Sequence, residues 1–163
     1  MIRIQNVLVA TDFSETSDAA LDYGREIART FGSTLHVLHV ADSVYLMYGG
    51  EAYAAGVPDL QEEIEEAARK RLGDLLEHED GALHVKPVVV AAIGPAAAIV
   101  DYAVQHRIDL VVLGTHGRGA FSHLFMGSVA ERVVRTAHCP VLTIHHPEHE
   151  FIRPEALVAT AHA

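Results

Sequence analysis

The sequence predicts an α/β fold, a doubly wound open parallel five-stranded sheet with helices on both faces. Three observations point there. Short apolar runs of strand length recur along the chain, rich in Val, Leu and Ile with little polar alternation, as in strands covered on both faces. Amphipathic helical patterns fill the gaps between them. The resulting order is βαβαβαβαβ, the rhythm of a doubly wound sheet.

The elements follow in order. Strands are expected at Ile4–Ala10, Thr34–Val40, Val85–Ala91 and Asp109–Gly114, with a fifth at Pro140–His145. In the first helix Ser14 is placed to cap the N-terminus, Ala20, Tyr23, Ile27 and Phe31 form an inner face, and Gly32 closes the end. Leu60, Ile64, Ala68, Leu72, Leu75 and Leu76 give the second helix its stripe. On its outer face, Glu65–Arg69 and Glu66–Lys70 have the favourable four-residue spacing. Pro95 opens a third helix bearing Ala98, Ile99, Tyr102 and Ala103. The fourth starts near Ser128 and turns Val129, Val133 and Ala137 inward. Residues 42–58, with Tyr45, Tyr48 and Tyr53, form a long connection, and 146–163 a polar, partly disordered tail beyond a domain at 1–145.

At 163 residues the chain has the length of one domain, and with half its residues apolar it can bury a core. Twelve Lys and Arg against 22 Asp and Glu leave a net charge of −10. That balance argues against nucleic acid and anionic membranes as partners. Protonating all 12 histidines would bring the charge to +2, so charge varies steeply in weak acid. The single cysteine, Cys139, cannot form an intrachain disulfide, and no run approaches the ~18 apolar residues of a membrane span. The N-terminus lacks a basic region followed by a long apolar one. A cytoplasmic, soluble domain is expected.

In an open parallel sheet, ligands bind at the carboxyl ends of the strands where the winding reverses. The first strand ends in Ala10-Thr11-Asp12, and the fourth runs into Gly114-Thr115-His116-Gly117-Arg118-Gly119. Glycines at 114, 117 and 119 allow positive φ and a close backbone approach to a ligand. Gly127-Ser128 then falls at a helix N-terminus, where unpaired N–H groups favour an anion. Ser128-Val129-Ala130-Glu131 also has the spacing of a capping box, in which Ser128 only closes the helix. Neither lysine, Lys70 or Lys86, follows a glycine, so there is no P-loop. Thr11-Asp12-Phe13-Ser14 lacks the glycines of a dinucleotide fingerprint.

The spacing Gly114-x2-Gly117-x9-Gly127-Ser128 resembles the nucleotide-binding signature of the universal stress protein family. The flanking text from Asp109 to Leu142 and the opening Asn6-Val-Leu-Val-Ala-Thr-Asp-Phe-Ser are similar too, and the likeness spans about residues 3–145. It implies strand order 3-2-1-4-5 and an ATP-binding, homodimeric regulatory module of the stress response. By position, Ala10, Thr11 and Asp12 would line the ribose and adenine side, with Asp12 accepting from ribose hydroxyls and Val40 packing on adenine. Gly114, His116, Gly117 and Arg118 would wrap the phosphates, with Gly127, Ser128 and Val129 completing the cradle. Mg²⁺ or Mn²⁺ would accompany ATP.

Dimerisation is expected through Val141–Ile144, an edge strand too apolar to leave exposed. An unidentified protein partner is also expected to read the nucleotide-ordered loop.

Dedicated catalysis is not expected. Residues 114–128 contain no Asp, Glu or Gln to activate water, so a slow metal-dependent ATP hydrolase and a nucleotide-free structural dimer stand as alternatives. His145-His146-Pro147-Glu148-His149 is the densest metal-ligand cluster, but neighbouring strand residues face opposite ways, and no resident metal site is expected. His36 and His39 likewise fall on opposite faces. A specific role for His123 is not expected, and Cys139, beside His138 alone among basic residues, reads as a packed apolar side chain.

Overall fold

The computed structural model describes residues 2–44, 57–77, 81–115 and 126–145, with the backbone alone at 57–59. The strands are β1 (Asn6–Ala10), β2 (Thr34–Asp42), β3 (Val85–Ala92), β4 (Leu110–Gly114) and β5 (Val141–Ile144). They form one five-stranded sheet in the order β3-β2-β1-β4-β5, and every neighbouring pair is parallel. The helices are α1 (Glu15–Phe31), α2 (Val57–Leu76), α3 (Pro95–Gln105) and α4 (Ser128–Thr136).

The strands read as continuous apolar runs because both faces are covered. Val7 and Val9 of β1 meet Leu35 and Val37 of β2 in a core closed by α1 and α2 through Ala20, Leu21, Ala28 and Leu72. Leu8, between the two valines, points the other way, into a second core with Leu38, Val111 and Leu113 under α3 and α4. Val7, Leu8 and Val9 are fully buried, and each such side chain contributes about 1.5–3 kcal/mol. The start of β1 is pinned to β4 by Asp109, whose Oδ2 accepts from the N–H groups of Gln5 at 2.7 Å and Asn6 at 3.0 Å.

Helix α1 begins as its sequence suggests. Ser14 is the N-cap, and a capping box is complete because Ser17 occupies the third helical position and reaches back. Gly32 ends the helix in the left-handed region at φ 64°, and the Ser33 N–H donates to the Ala28 carbonyl at 2.9 Å. Its buried face is Ser17, Ala20, Leu21, Gly24 and Ala28. A Cβ on Gly24 would overlap Val9 Cγ2, so the missing side chain is what lets α1 lie against β1.

Two expected inward residues fall outside the cores. Phe31 is 48% and Leu60 46% exposed, because each stands near a helix end, where the stripe runs past the sheet. Tyr23 and Ile27 pack at the margin of the first core. On α2 the Glu65–Arg69 pair forms, with Nη2 to Oε2 at 2.6 Å. On α3, Pro95 sits in the first turn, and Ala96, Ile99, Tyr102 and Ala103 are buried.

The sheet edges are β3 and β5. Lys86 and Pro87 in β3 are exposed, and a proline without an N–H suits an edge strand. No helix among the described residues is long and apolar enough to cross a membrane.

Candidate functional site

β1 and β4 are adjacent at the centre of the sheet, and the chain winds away from them in opposite directions, to β2 and β3 on one side and to β5 on the other. Their carboxyl ends therefore open the crevice where such sheets bind ligands. Ala10 ends β1, and Ala10 and Val40 both pack at the margin of the α3–α4 core. They share that face of the sheet with α4, whose N-terminus lies at the same edge.

Beyond Ala10 the chain is held by a small hydroxyl network. The buried Thr11 donates its N–H to the Leu38 carbonyl at 2.9 Å. Ser17 Oγ donates to the Ser14 carbonyl at 2.8 Å and accepts from the Ser14 N–H at 3.0 Å. Its one proton is thereby used, so in the 3.0 Å contact between the two hydroxyls Thr11 is the donor. Thr11 Oγ1 in turn accepts from the Phe13 N–H at 3.0 Å. Asp12 Oδ1 accepts from both the N–H of Ser14, at 3.1 Å, and its hydroxyl, at 2.6 Å. One oxygen of Asp12 therefore holds the turn that starts α1. Asp18, one turn further on, is raised above its ordinary value by partial desolvation first, then by the Asp22 and Asp12 carboxylates.

The exit of β4 is fixed just as tightly. Thr115 donates its N–H to the Ile144 carbonyl at 2.8 Å, and its own carbonyl accepts from the Gly127 N–H at 2.6 Å. Its hydroxyl lies 3.2 Å from Nδ1 of His145. These bonds bring the start of α4 to the end of β4. Gly127 is the N-cap, in extended conformation at φ −61°, with no side-chain cap. Ser128 and Val129 are the first two helical residues, so their N–H groups belong to the unpaired set at the positive end of the helix.

Two expectations are corrected. Ser128 does not cap α4: the carbonyl of Gly127 accepts the Glu131 N–H at 2.9 Å, which shifts the cap one residue earlier and dissolves the Ser128–Glu131 box. Gly114 is not at positive φ, since the described glycines there are Gly32 and Gly81. An added Cβ on Gly114 would come within 2.7 Å of Thr16 Cγ2 and 3.0 Å of the Thr16 carbonyl. Its bare backbone therefore admits the first turn of α1.

Of the expected residues, Ala10, Thr11 and Asp12 follow one another at the end of β1, Val40 shares the face of Ala10, and Gly127, Ser128 and Val129 lie beside the end of β4 after Gly114. His116, Gly117, Arg118, Gly119 and His123 lie outside the described residues, as do Tyr45, Tyr48, Tyr53, the tail and its histidines. Sequence reasoning did not single out Thr115, which ties three elements together through its backbone, and weighed His39 only as a metal ligand. Nδ1 of His39 donates to the Thr11 carbonyl at 2.9 Å.

His36 and His39 do fall on opposite faces. His36 Nδ1 lies 2.8 Å from the hydroxyl of Tyr102 on α3, whereas His39 stacks on Phe13. Among the described residues no three His, Cys, Asp or Glu converge to hold a metal ion. Cys139 packs against the α3–α4 core, and burial first of all pushes its thiol above the ordinary value.

Chemically the crevice is polarised. An acceptor carboxylate, Asp12, stands at the β1 side with Asp18 near it, and a helix N-terminus without a side-chain cap stands at the α4 side. A ligand with hydroxyl donors at one end and an anion at the other matches it.

Comparison with known proteins agrees with this architecture. The universal stress protein family model matches residues 3–145. Universal stress protein MJ0531 of Methanocaldococcus jannaschii is 30% identical over 147 residues, which cover 90% of this chain and 85% of that protein. UspA of Lactobacillus plantarum is 30% identical, with a TM-score of 0.71 over 88% of this chain and 99% of its own. A universal stress protein solved in complex with cAMP shares the fold at 24% identity and a TM-score of 0.64, covering 88% of this chain and 99% of its own. One from Archaeoglobus fulgidus, solved in complex with dAMP, does so at 24% identity and 0.55, with the same coverage. This chain belongs to the universal stress protein family.

Proposed function

We propose that the chain binds ATP at the β1–β4 crevice and acts in the cytoplasm as a homodimeric regulatory module of the stress response. The observation that carries this reading is the start of α4. Its first-turn N–H groups have no side-chain cap, and the 2.6 Å bond from Gly127 to Thr115 aims them at the switch point. Phosphate at that helix end would satisfy the orphan donors, with Ser128 Oγ as a further donor. Asp12, with an acceptor carboxylate, suits ribose hydroxyls, and Val40 with Ala10 offers an apolar wall to the base. The cAMP and dAMP complexes of the two relatives support an adenine nucleotide as the ligand class.

Gly117, His116 and Arg118 would close over the phosphates, and Mg²⁺ or Mn²⁺ bound with them would offset their charge. The nucleotide would order residues 114–128 and so alter a surface read by a partner protein. Pairing of the half-buried edge strand β5 with its copy across a two-fold axis would form the dimer.

The test is to purify the protein without added nucleotide, denature it, and resolve the supernatant by ion exchange with mass detection. Near-stoichiometric ATP is the expected result. ADP or AMP in its place would favour a hydrolase. An empty supernatant, together with no thermal shift in ATP and Mg²⁺, would leave a structural dimer. A binder gains about 2.7 kcal/mol at a hundredfold excess over Kd.

A further inference from the structure

The residue after Asp12 holds a backbone conformation that its side chain disfavours. Phe13 has φ 62°, in the left-handed region where a bulky residue is an outlier and glycine the usual occupant. Such a residue persists where its surroundings over-determine it, and this is found at functional positions. Here the surroundings are specific. The Phe13 N–H is taken by Thr11 Oγ1 at 3.0 Å. Its ring lies 4.4 Å from that of His39, tilted by 39°. The guanidinium carbon of Arg71, on α2, stands over the same ring at 4.4 Å. His39 is itself oriented, since a carbonyl can only accept, and Nδ1–H therefore points to Thr11 O at 2.9 Å.

One aromatic ring thus joins the turn after β1 to β2 and α2. This assembly lies on the α1–α2 side of the sheet, whereas Ala10 and Val40 pack on the α3–α4 side. It cannot act by touching a base held against Val40. What it governs is the turn: with φ positive at Phe13, the chain folds back so that the Ser14 N–H and hydroxyl both reach Asp12 Oδ1. A relaxed Phe13 would carry Ser14 away and release the carboxylate.

We infer that Phe13, held by His39 and Arg71, is a positioning residue that aims Asp12 at the ribose and thereby sets the preference for ribonucleotide over 2′-deoxyribonucleotide. The inference rests on the nucleotide reading above and adds a determinant of sugar specificity to it. Arg71 is exposed, so its replacement leaves the core intact, and its loss of charge acts alike on two nucleotides that differ by one hydroxyl. The ratio of their affinities isolates the position of Asp12 from general electrostatics.

The experiment is isothermal titration of the full chain with ATP and with 2′-deoxy-ATP, in wild type, Arg71→Gln, Phe13→Leu and Phe13→Gly, each checked for its fold by circular dichroism. The wild type is expected to prefer ATP. Arg71→Gln and Phe13→Leu should weaken ATP by roughly two- to fivefold, the worth of a cation–π contact, and leave 2′-deoxy-ATP nearly unchanged. Phe13→Gly adopts positive φ without cost, but with no ring between His39 and Arg71 nothing holds the turn there, so it should lose the preference as well. A wild type without preference, a ratio unchanged in all three variants, or equal losses for both nucleotides would overturn the inference while nucleotide binding itself stood. A wild type that bound neither nucleotide would overturn both readings.

Discussion

Acid should destabilise this protein through one buried imidazole, His36. The residue is 5% exposed, and its ring is hydrogen-bonded to the Tyr102 hydroxyl at 2.8 Å. Burial first, then the positive charges of Lys86, His106 and His84, lower it from 6.5 to about 4. A group whose pKa is depressed in the fold binds its proton more readily in the unfolded chain. Stability is then intact above about 6.5, falls as pH drops, and levels off below about 4. Those two values correspond to about 3 kcal/mol in full, of which about 2 kcal/mol is lost between pH 7 and pH 5.

Urea unfolding at pH 7, 6 and 5, at one protein concentration, measures this in wild type and in His36→Gln. The amide keeps a polar group beside Tyr102 but cannot titrate. The wild type should lose about 2 kcal/mol more than the variant across that range. Parallel pH dependences would refute the reasoning, since contributions from every other titrating group cancel in the difference.

Other outcomes follow from the packing. Gly24→Ala should destabilise by roughly 1–2 kcal/mol in denaturant titration, because overlap with the buried Val9 outweighs the ~1 kcal/mol gain in helix propensity. Ser17→Ala removes the acceptor of the Ser14 N–H and of the Thr11 hydroxyl, and should cost roughly 1–3 kcal/mol by the same assay. Asp109→Ala leaves the N–H groups of Gln5 and Asn6 without their carboxylate, and faster amide exchange at the start of β1 would report it. Cys139, with its thiol pushed up by burial, should react with a disulfide reagent at pH 8 more slowly than a free cysteine, and at the normal rate in urea.

Some of this was legible locally. Continuous apolar runs mark strands buried on both faces, and the five expected strands differ from the observed ones only at their ends. Ser14 and Gly32 bound α1 because capping is a matter of adjacent backbone groups. The opposite faces of His36 and His39 follow from the two-residue period of a strand. The helical stripe gives the inward residues in the middle of α1 and α2 but fails at Phe31 and Leu60, because periodicity does not say where the sheet beneath a helix ends. Ser128 and Gly127 are both acceptable caps in sequence, and the choice was made by Thr115, whose carbonyl holds the Gly127 N–H.

The succession of elements, the inward faces away from the helix ends and the family-like glycine spacing are thus written in the chain itself, since each depends on neighbours within a few residues. Tertiary structure alone decided what those residues contact. Gly114 is bare because Thr16 of α1 lies against it, and Gly24 because Val9 does. Phe13 is forced to positive φ among His39 and Arg71, 26 and 58 positions away along the chain. Steric exclusion and ring stacking act through space, and only the closed sheet brings those partners within reach.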